Sequence, residues 1–165
     1  MSKDLRLPLA VLAACAALAC RAPRSDEDQI RALFEDAARA AGERRVSDVV
    51  APLSERFRGN EGIGRHEAKQ LVAAQVLRGE WTAVAISGAT VEVEGESARA
   101  TVDAILTRGA GKGKALADLL PGEASAHRFD CRLEREEGRW QVVAAEWRPL
   151  SLAEALAGPP PAPGR

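Results

Sequence analysis

Residues 137–148, EGRWQVVAAEWR, begin with a Glu-Gly pair and continue through closely spaced aromatic and β-branched side chains, the pattern of a tight turn delivering the chain into a strand. Working back from Glu137, His127, Phe129, Cys131 and Leu133 fall on alternate positions and so share one face of the preceding strand. Further upstream, residues 82–87 and 90–94 predict one long strand with a break or bulge near Gly88. Gly95 turns it, and Ala98, Ala100, Val102, Ala104 and Leu106 alternate along the next. Residues 109–124, GAGKGKALADLLPGEA, read as a flexible loop with one helical turn at Ala115 to Leu120.

N-terminal to residue 81 the period is that of a helix. Ser25 can cap a first turn holding Asp26, Glu27 and Asp28, and Ile30, Leu33, Phe34, Ala37, Ala38 and Ala41 recur every three or four positions until Gly42 supplies a stop. A second stretch places Val46, Val49, Val50, Leu53 and Phe57 at the same steps, with Pro52 bending or dividing it. A third runs from Arg65 to Leu77, with Ala68, Leu71, Val72 and Val76 on one side, and stops at Gly79. Three helices followed by about four long strands predict an α+β domain in which the N-terminal helices pack on a strongly curved antiparallel sheet.

Acids and bases nearly cancel, for a net charge of −1, which gives no electrostatic reason to expect a nucleic acid partner. The first residues differ from the rest. Lys3 and Arg6 precede an apolar run from Leu7 to Ala19, too short for a permanent transmembrane helix but suited to a signal peptide. The run ends in Ala17-Leu18-Ala19-Cys20, which resembles the lipobox of bacterial lipoproteins; Leu12-Ala13-Ala14-Cys15 is the alternative. The resemblance implies a signal peptide over 1–19, a lipidated Cys20 (alternatively Cys15), a tether over 20–25 and a domain held in the cell envelope facing the periplasm. The domain then covers 26–150, and residues 151–165, ending in GPPPAPGR, read as a Pro-rich disordered tail. Outside the leader only Cys131 remains, so no internal disulfide can form, and its place in a strand pattern reads as a small buried side chain.

This element order, with Phe57-Arg58-Gly59 after the second helical stretch and the GRWxVV strand leading to Glu146-Trp147-Arg148, resembles the nuclear transport factor 2-like (NTF2-like) superfamily over about residues 26–150. That superfamily includes SnoaL-like cyclases and ketosteroid isomerases. The resemblance implies a cone with a cavity between helices and sheet, and homodimers formed through the outer sheet face.

Tested as chemistry, the motifs fail one by one. His66-Glu67-Ala68-Lys69-Gln70 starts like a zinc helix, but Gln70 stands where the second His must be. The GAGKGK run lacks the spacing of a phosphate loop and the hydroxyl that would hold magnesium. A ketosteroid isomerase site would use an acid with a Tyr, and the chain has no Tyr. Neither a metal nor a cofactor is implied. Asp103 and Asp130 alternate with apolar neighbours and should join Arg99, Arg128 and Arg132 on the other sheet face, as cross-strand ion pairs or a polar dimer contact.

His127 is the weak catalytic candidate, because it shares a face with Phe129 and Leu133. Phe34, Phe57, Trp81, Phe129 and Trp147 join it as candidate pocket residues, with Arg58, Asn60 and His66 as candidates for the pocket rim. The run 57–67, FRGNEGIGRHE, has a structural reading as well, a glycine-rich turn leading into the third helix. The sequence therefore points to non-catalytic binding of a small apolar ligand or a protein partner. An isomerase-like or SnoaL-like enzyme and a structural dimerisation module are the alternatives.

Overall fold

The computed structural model describes residues 25–78, 83–108 and 124–161. The leader, including Cys15 and Cys20, and Trp81 lie outside the described residues, as does most of the expected 109–124 loop.

Helix α1 (Asp26–Gly42) starts where expected. The Ser25 hydroxyl accepts from the Asp28 N–H at 3.1 Å, and three acids occupy the positive end of the dipole. It ends at Gly42 as expected, but not through a left-handed glycine. Glu43 caps the helix and Arg44 takes the left-handed conformation, φ 60°, while Gly42 faces the backbone at Ala83. A short helix, α2 (Val46–Val50), follows.

The largest departure from the sequence reading comes next. Leu53–Arg58, expected to extend the second helical stretch, forms strand β1 and pairs parallel to the last strand, with Leu53 opposite Val142 and Arg58 opposite Ala144. Pro52 cannot donate the N–H that would continue the helix, but its carbonyl accepts from Val142 at 2.8 Å and starts the pairing instead. A single 3-10 turn (Asn60–Gly62) leads to α3 (Arg65–Leu77), where the Glu67 carboxylate accepts from the Gly64 N–H at 3.0 Å.

Strands β2 (Ala83–Glu94), β3 (Ser97–Thr107), β4 (Ala124–Glu136) and β5 (Arg139–Leu150) form the predicted antiparallel meander, and β1 makes the sheet five-stranded and mixed, in the order β1-β5-β4-β3-β2. The bulge foreseen near Gly88 lies between Ile86 and Gly88, and a second lies between Arg132 and Leu133; each bends its strand and curves the sheet. Glu137 (φ 51°) and Gly138 (φ 77°) make the two-residue turn of positive φ that joins β4 to β5.

The sheet's inner face and α1 enclose the core, with Ile30, Val102 and Leu133 almost completely buried. Along β3 this face is small, Ala98, Ala100 and Ala104, which leaves room for the branched and aromatic side chains of α1. The start of α1 is fastened to the β4–β5 end of the sheet. Asp26 accepts from Trp140 Nε1 at 3.2 Å and pairs with Arg135, whose guanidinium stacks 4.7 Å over the Trp140 ring.

The expected disordered tail is corrected over its first part. Leu152–Ala157 is a helix, α4, because Ser151 and Glu154 form a reciprocal capping box: the Ser151 hydroxyl accepts from the Glu154 N–H at 3.2 Å, and the Glu154 carboxylate accepts from the Ser151 N–H at 2.9 Å. The helix lies on the outer sheet face, where Ala155 is fully buried against Ile105 and Ala126. Beyond it, Pro159 sits against Gly88 so closely that a Cβ there would come within 2.6 Å of it, and the Pro160 carbonyl accepts from Thr90 at 3.3 Å. Residues 151–161 therefore form a strap across the outer face.

Candidate functional site

Strand alternation turns His127 and Phe129 toward the helical side, and the β4–β5 register sets Phe129 opposite Trp147. The three rings form a row. His127 and Phe129 have centroids 6.5 Å apart with planes tilted by 44°, and Phe129 and Trp147 are also 6.5 Å apart, tilted by 35°. All three are only half-buried, whereas Cys131 and Leu133 further along the same face are buried. Along β4 the row is thus the less covered part of the apolar inner face.

The run 57–67 holds the Trp147 end of this row in place. Asn60 works as a substitute strand partner: its amide nitrogen donates to the Trp147 carbonyl at 2.8 Å, and its amide oxygen accepts from the Trp147 N–H at 3.0 Å. These bonds satisfy β5 just beyond the end of β1. Gly59 lies beneath the indole, where a Cβ would come within 2.8 Å of the ring and 3.0 Å of Ile63, so only glycine lets the chain pass that close.

Of the other rim candidates, Arg58 donates to the neighbouring Phe57 carbonyl, and His66 is exposed, its Nε2 3.0 Å from the Gln70 amide nitrogen. Neither meets the row in a hydrogen bond. Phe57, 2% exposed, is consumed by the core, and Phe34 packs partly buried against that same core. No cluster of metal-ligating side chains occurs among the described residues.

Burial alone lowers the His127 pKa from its ordinary value of 6.5, with no carboxylate contributing, so at neutral pH the ring is an uncharged donor and acceptor. An aromatic wall with one neutral imidazole can stack on a flat apolar molecule and satisfy a polar group on it. Acid–base catalysis would need a second group in a matching protonation state. The aspartates point away, as the strand alternation implied. Asp103 is fully buried under the strap, bound by Arg128 through two bonds of 2.7 Å, and Asp130 accepts from Thr101 at 2.8 Å.

Two surface grooves lie elsewhere. One, of about 540 Å³, runs between α1 and β2 past Arg31, Glu35, Ile86 and Gly88. The other, of about 490 Å³, is bounded by Leu33, Asp36, Arg45, Pro52 and Trp140. In the second, Asp36 pairs with Arg39 and Asp48 with Arg45, and Arg139 adds a further cation to the lining.

Sequence reasoning missed the strap and the clip made by Asn60. The spacing Ser151-x-x-Glu154 before an apolar residue was a legible signal for the first. For the second there was none, since Asn60 and Trp147 are remote in sequence.

No family model matches the sequence, and no curated protein aligns with it significantly. Solved structures do resemble it. A protein of unknown function with a cystatin-like fold from Nostoc punctiforme is 13% identical, over 77% of this chain and 92% of that one, at a TM-score of 0.59. An NTF2-like protein of unknown function from Pseudomonas putida is 20% identical, over 73% and 84%, at 0.57. An NTF2-like protein with a cystatin-like fold from Novosphingobium aromaticivorans is 22% identical, over 78% and 85%, at 0.57. Likeness at such identities speaks for architecture alone, and on that ground this chain has the NTF2-like, cystatin-like fold.

Proposed function

We propose that this NTF2-like domain is a lipid-anchored binding module of the bacterial cell envelope, holding a small apolar ligand against the His127–Phe129–Trp147 row without transforming it. The observation that carries the reading is the half-buried row itself, three neighbouring aromatic rings left partly open on the inner sheet face. Native mass spectrometry of residues 21–165 purified from a bacterial periplasm tests it. A reproducible extra mass, lost on harsh activation and lost in Trp147→Ala, is the expected result. Bare protein that also fails to take up apolar dyes in solution would reject the pocket.

The enzymatic alternative rests on the neutral His127, which could accept a proton from a bound substrate. Turnover that survives His127→Ala would remove that role. A homodimer through the outer face would have to use the half around Arg99, Thr101, Asp130 and Arg132, because the strap occupies the half around Ile105 and Ala126. Sedimentation at several salt concentrations decides this, with a monomer throughout counting against the dimer. Palmitate labelling of the wild type, absent in Cys20→Ser, tests the anchor.

A further inference from the structure

We propose that the tether holds the hairpin end of the domain toward the bilayer and the His127 end away from it, so that the aromatic row exchanges its ligand with the aqueous phase or a soluble partner and does not extract it directly from the membrane. The inference rests on lipidation at Cys20, and the rest is geometry.

Asp26 is the first helical residue after the tether, and its bonds to Arg135 and Trp140 fix it at one end of the sheet. Both hairpin turns lie at this end: Glu136 pairs with Arg139 across one, Glu94 with Ser97 across the other, and the Arg135 N–H donates to the Glu96 carbonyl at 2.9 Å. The His127 end is the opposite one, where Ala124 pairs with Thr107 and Thr107 with Ala83.

Two lengths separate the ends. The eleven residue-to-residue steps of β4 from Arg135 to Ala124 extend about 36 Å at about 3.3 Å each. Helix α1 gives a shorter, independent measure: from Asp26 to Gly42, which packs against Ala83 at the far end, it rises about 24 Å. Six Cα-to-Cα steps join Cys20 to Asp26, and even fully extended they reach about 21 Å. With Cys20 at the membrane surface, Asp26 stays within that distance of it. Pointing the His127 end at the lipid would lift Asp26 by a distance comparable to the whole reach of the tether, leaving it no slack. The short tether therefore holds the domain standing on its hairpin end, with the His127 end outermost.

The test uses the lipidated full-length chain on vesicles of phosphatidylethanolamine and phosphatidylglycerol containing a headgroup nitroxide lipid. A thiol-reactive fluorophore is placed at Glu96→Cys, at the hairpin end, or at Ser125→Cys, at the His127 end; both positions are exposed, and buried Cys131 does not compete. Quenching several-fold stronger at residue 96 than at 125 is expected. Inserting about ten Gly/Ser residues after Arg24 lengthens the reach and should bring the two sites closer to equality. Equal quenching at native tether length, or stronger quenching at residue 125, overturns the orientation while leaving the anchor intact. No quenching at either site, matching Cys20→Ser, removes the anchor and the inference with it. Cleavage before Cys15, visible in the mature mass, would extend the reach to about 38 Å and also overturn it.

Discussion

Asp103 and Arg128 face each other across the β3–β4 pair and are joined by two parallel bonds of 2.7 Å, Nε to Oδ1 and Nη2 to Oδ2, with the Asp103 side chain wholly excluded from solvent. Arg128 Nη2 also donates to the Gly158 carbonyl at 3.3 Å, so one ion pair ties the sheet to the strap that covers it. Opposite charges at directly paired positions contribute little on a wet sheet face; here the strap makes the pair a buried one.

Removing one partner should therefore cost much more than a surface ion pair would. Arg128→Ala leaves the Asp103 carboxylate buried and unpaired, and a loss of about 3 kcal/mol is expected, at the low end for broken buried pairs. Urea midpoints check this, and the double variant Asp103→Leu with Arg128→Met should recover much of the loss.

Strap and sheet can also be separated sterically. Gly88→Ala would push a methyl into Pro159, detaching the segment after α4 while leaving the inner face unchanged. Amide exchange across residues 151–161 should accelerate with little change in the core strands. Deleting the strap would uncover Ile105 and Ala126 and should cost about 2–3 kcal/mol, roughly the value of burying one large aliphatic side chain.

Asn60→Ala removes both bonds to the Trp147 backbone and should destabilise the domain by about 2 kcal/mol. The Trp147 amide should lose exchange protection, and the row should lose affinity for any apolar ligand, because its outermost ring is no longer held.

Acidification should weaken the fold through His127. Its folded-state pKa lies below the unfolded value of 6.5, so the unfolded chain binds the proton more readily, and this contribution is complete above 6.5 and is lost as pH falls through the lower folded pKa. His127→Gln should flatten that part of the stability profile. Asp26, Glu136 and Glu154, lowered chiefly by hydrogen bonds from Arg135, Arg56 and Ser151 respectively, act in a lower window, losing their contribution as pH falls below the usual carboxylate range.

Burial, helped by the charge of Asp130, pushes the Cys131 thiol up to about 12, so the native protein should resist thiol reagents at pH 8 and react fully in denaturant.

By itself the sequence determined whatever depends on residues near one another along the chain. Period two across 83–106 and 127–147, the Ser25 cap and the Glu137-Gly138 turn specify the meander, its hairpins and the first helix, since side-chain alternation, capping and turn geometry are local. The same alternation set Asp103 and Arg128 on the face opposite Phe129. Tertiary structure decided the rest. Leu53–Arg58 has spacings compatible with a helix and became a strand because β5 offered it an unpaired edge. Asn60 found its partner only when the fold brought Trp147 alongside, and Asp103 became buried only when residues 151–161 closed over it. Long-range pairing and burial decide these outcomes, and neither has a period that a linear pattern can show.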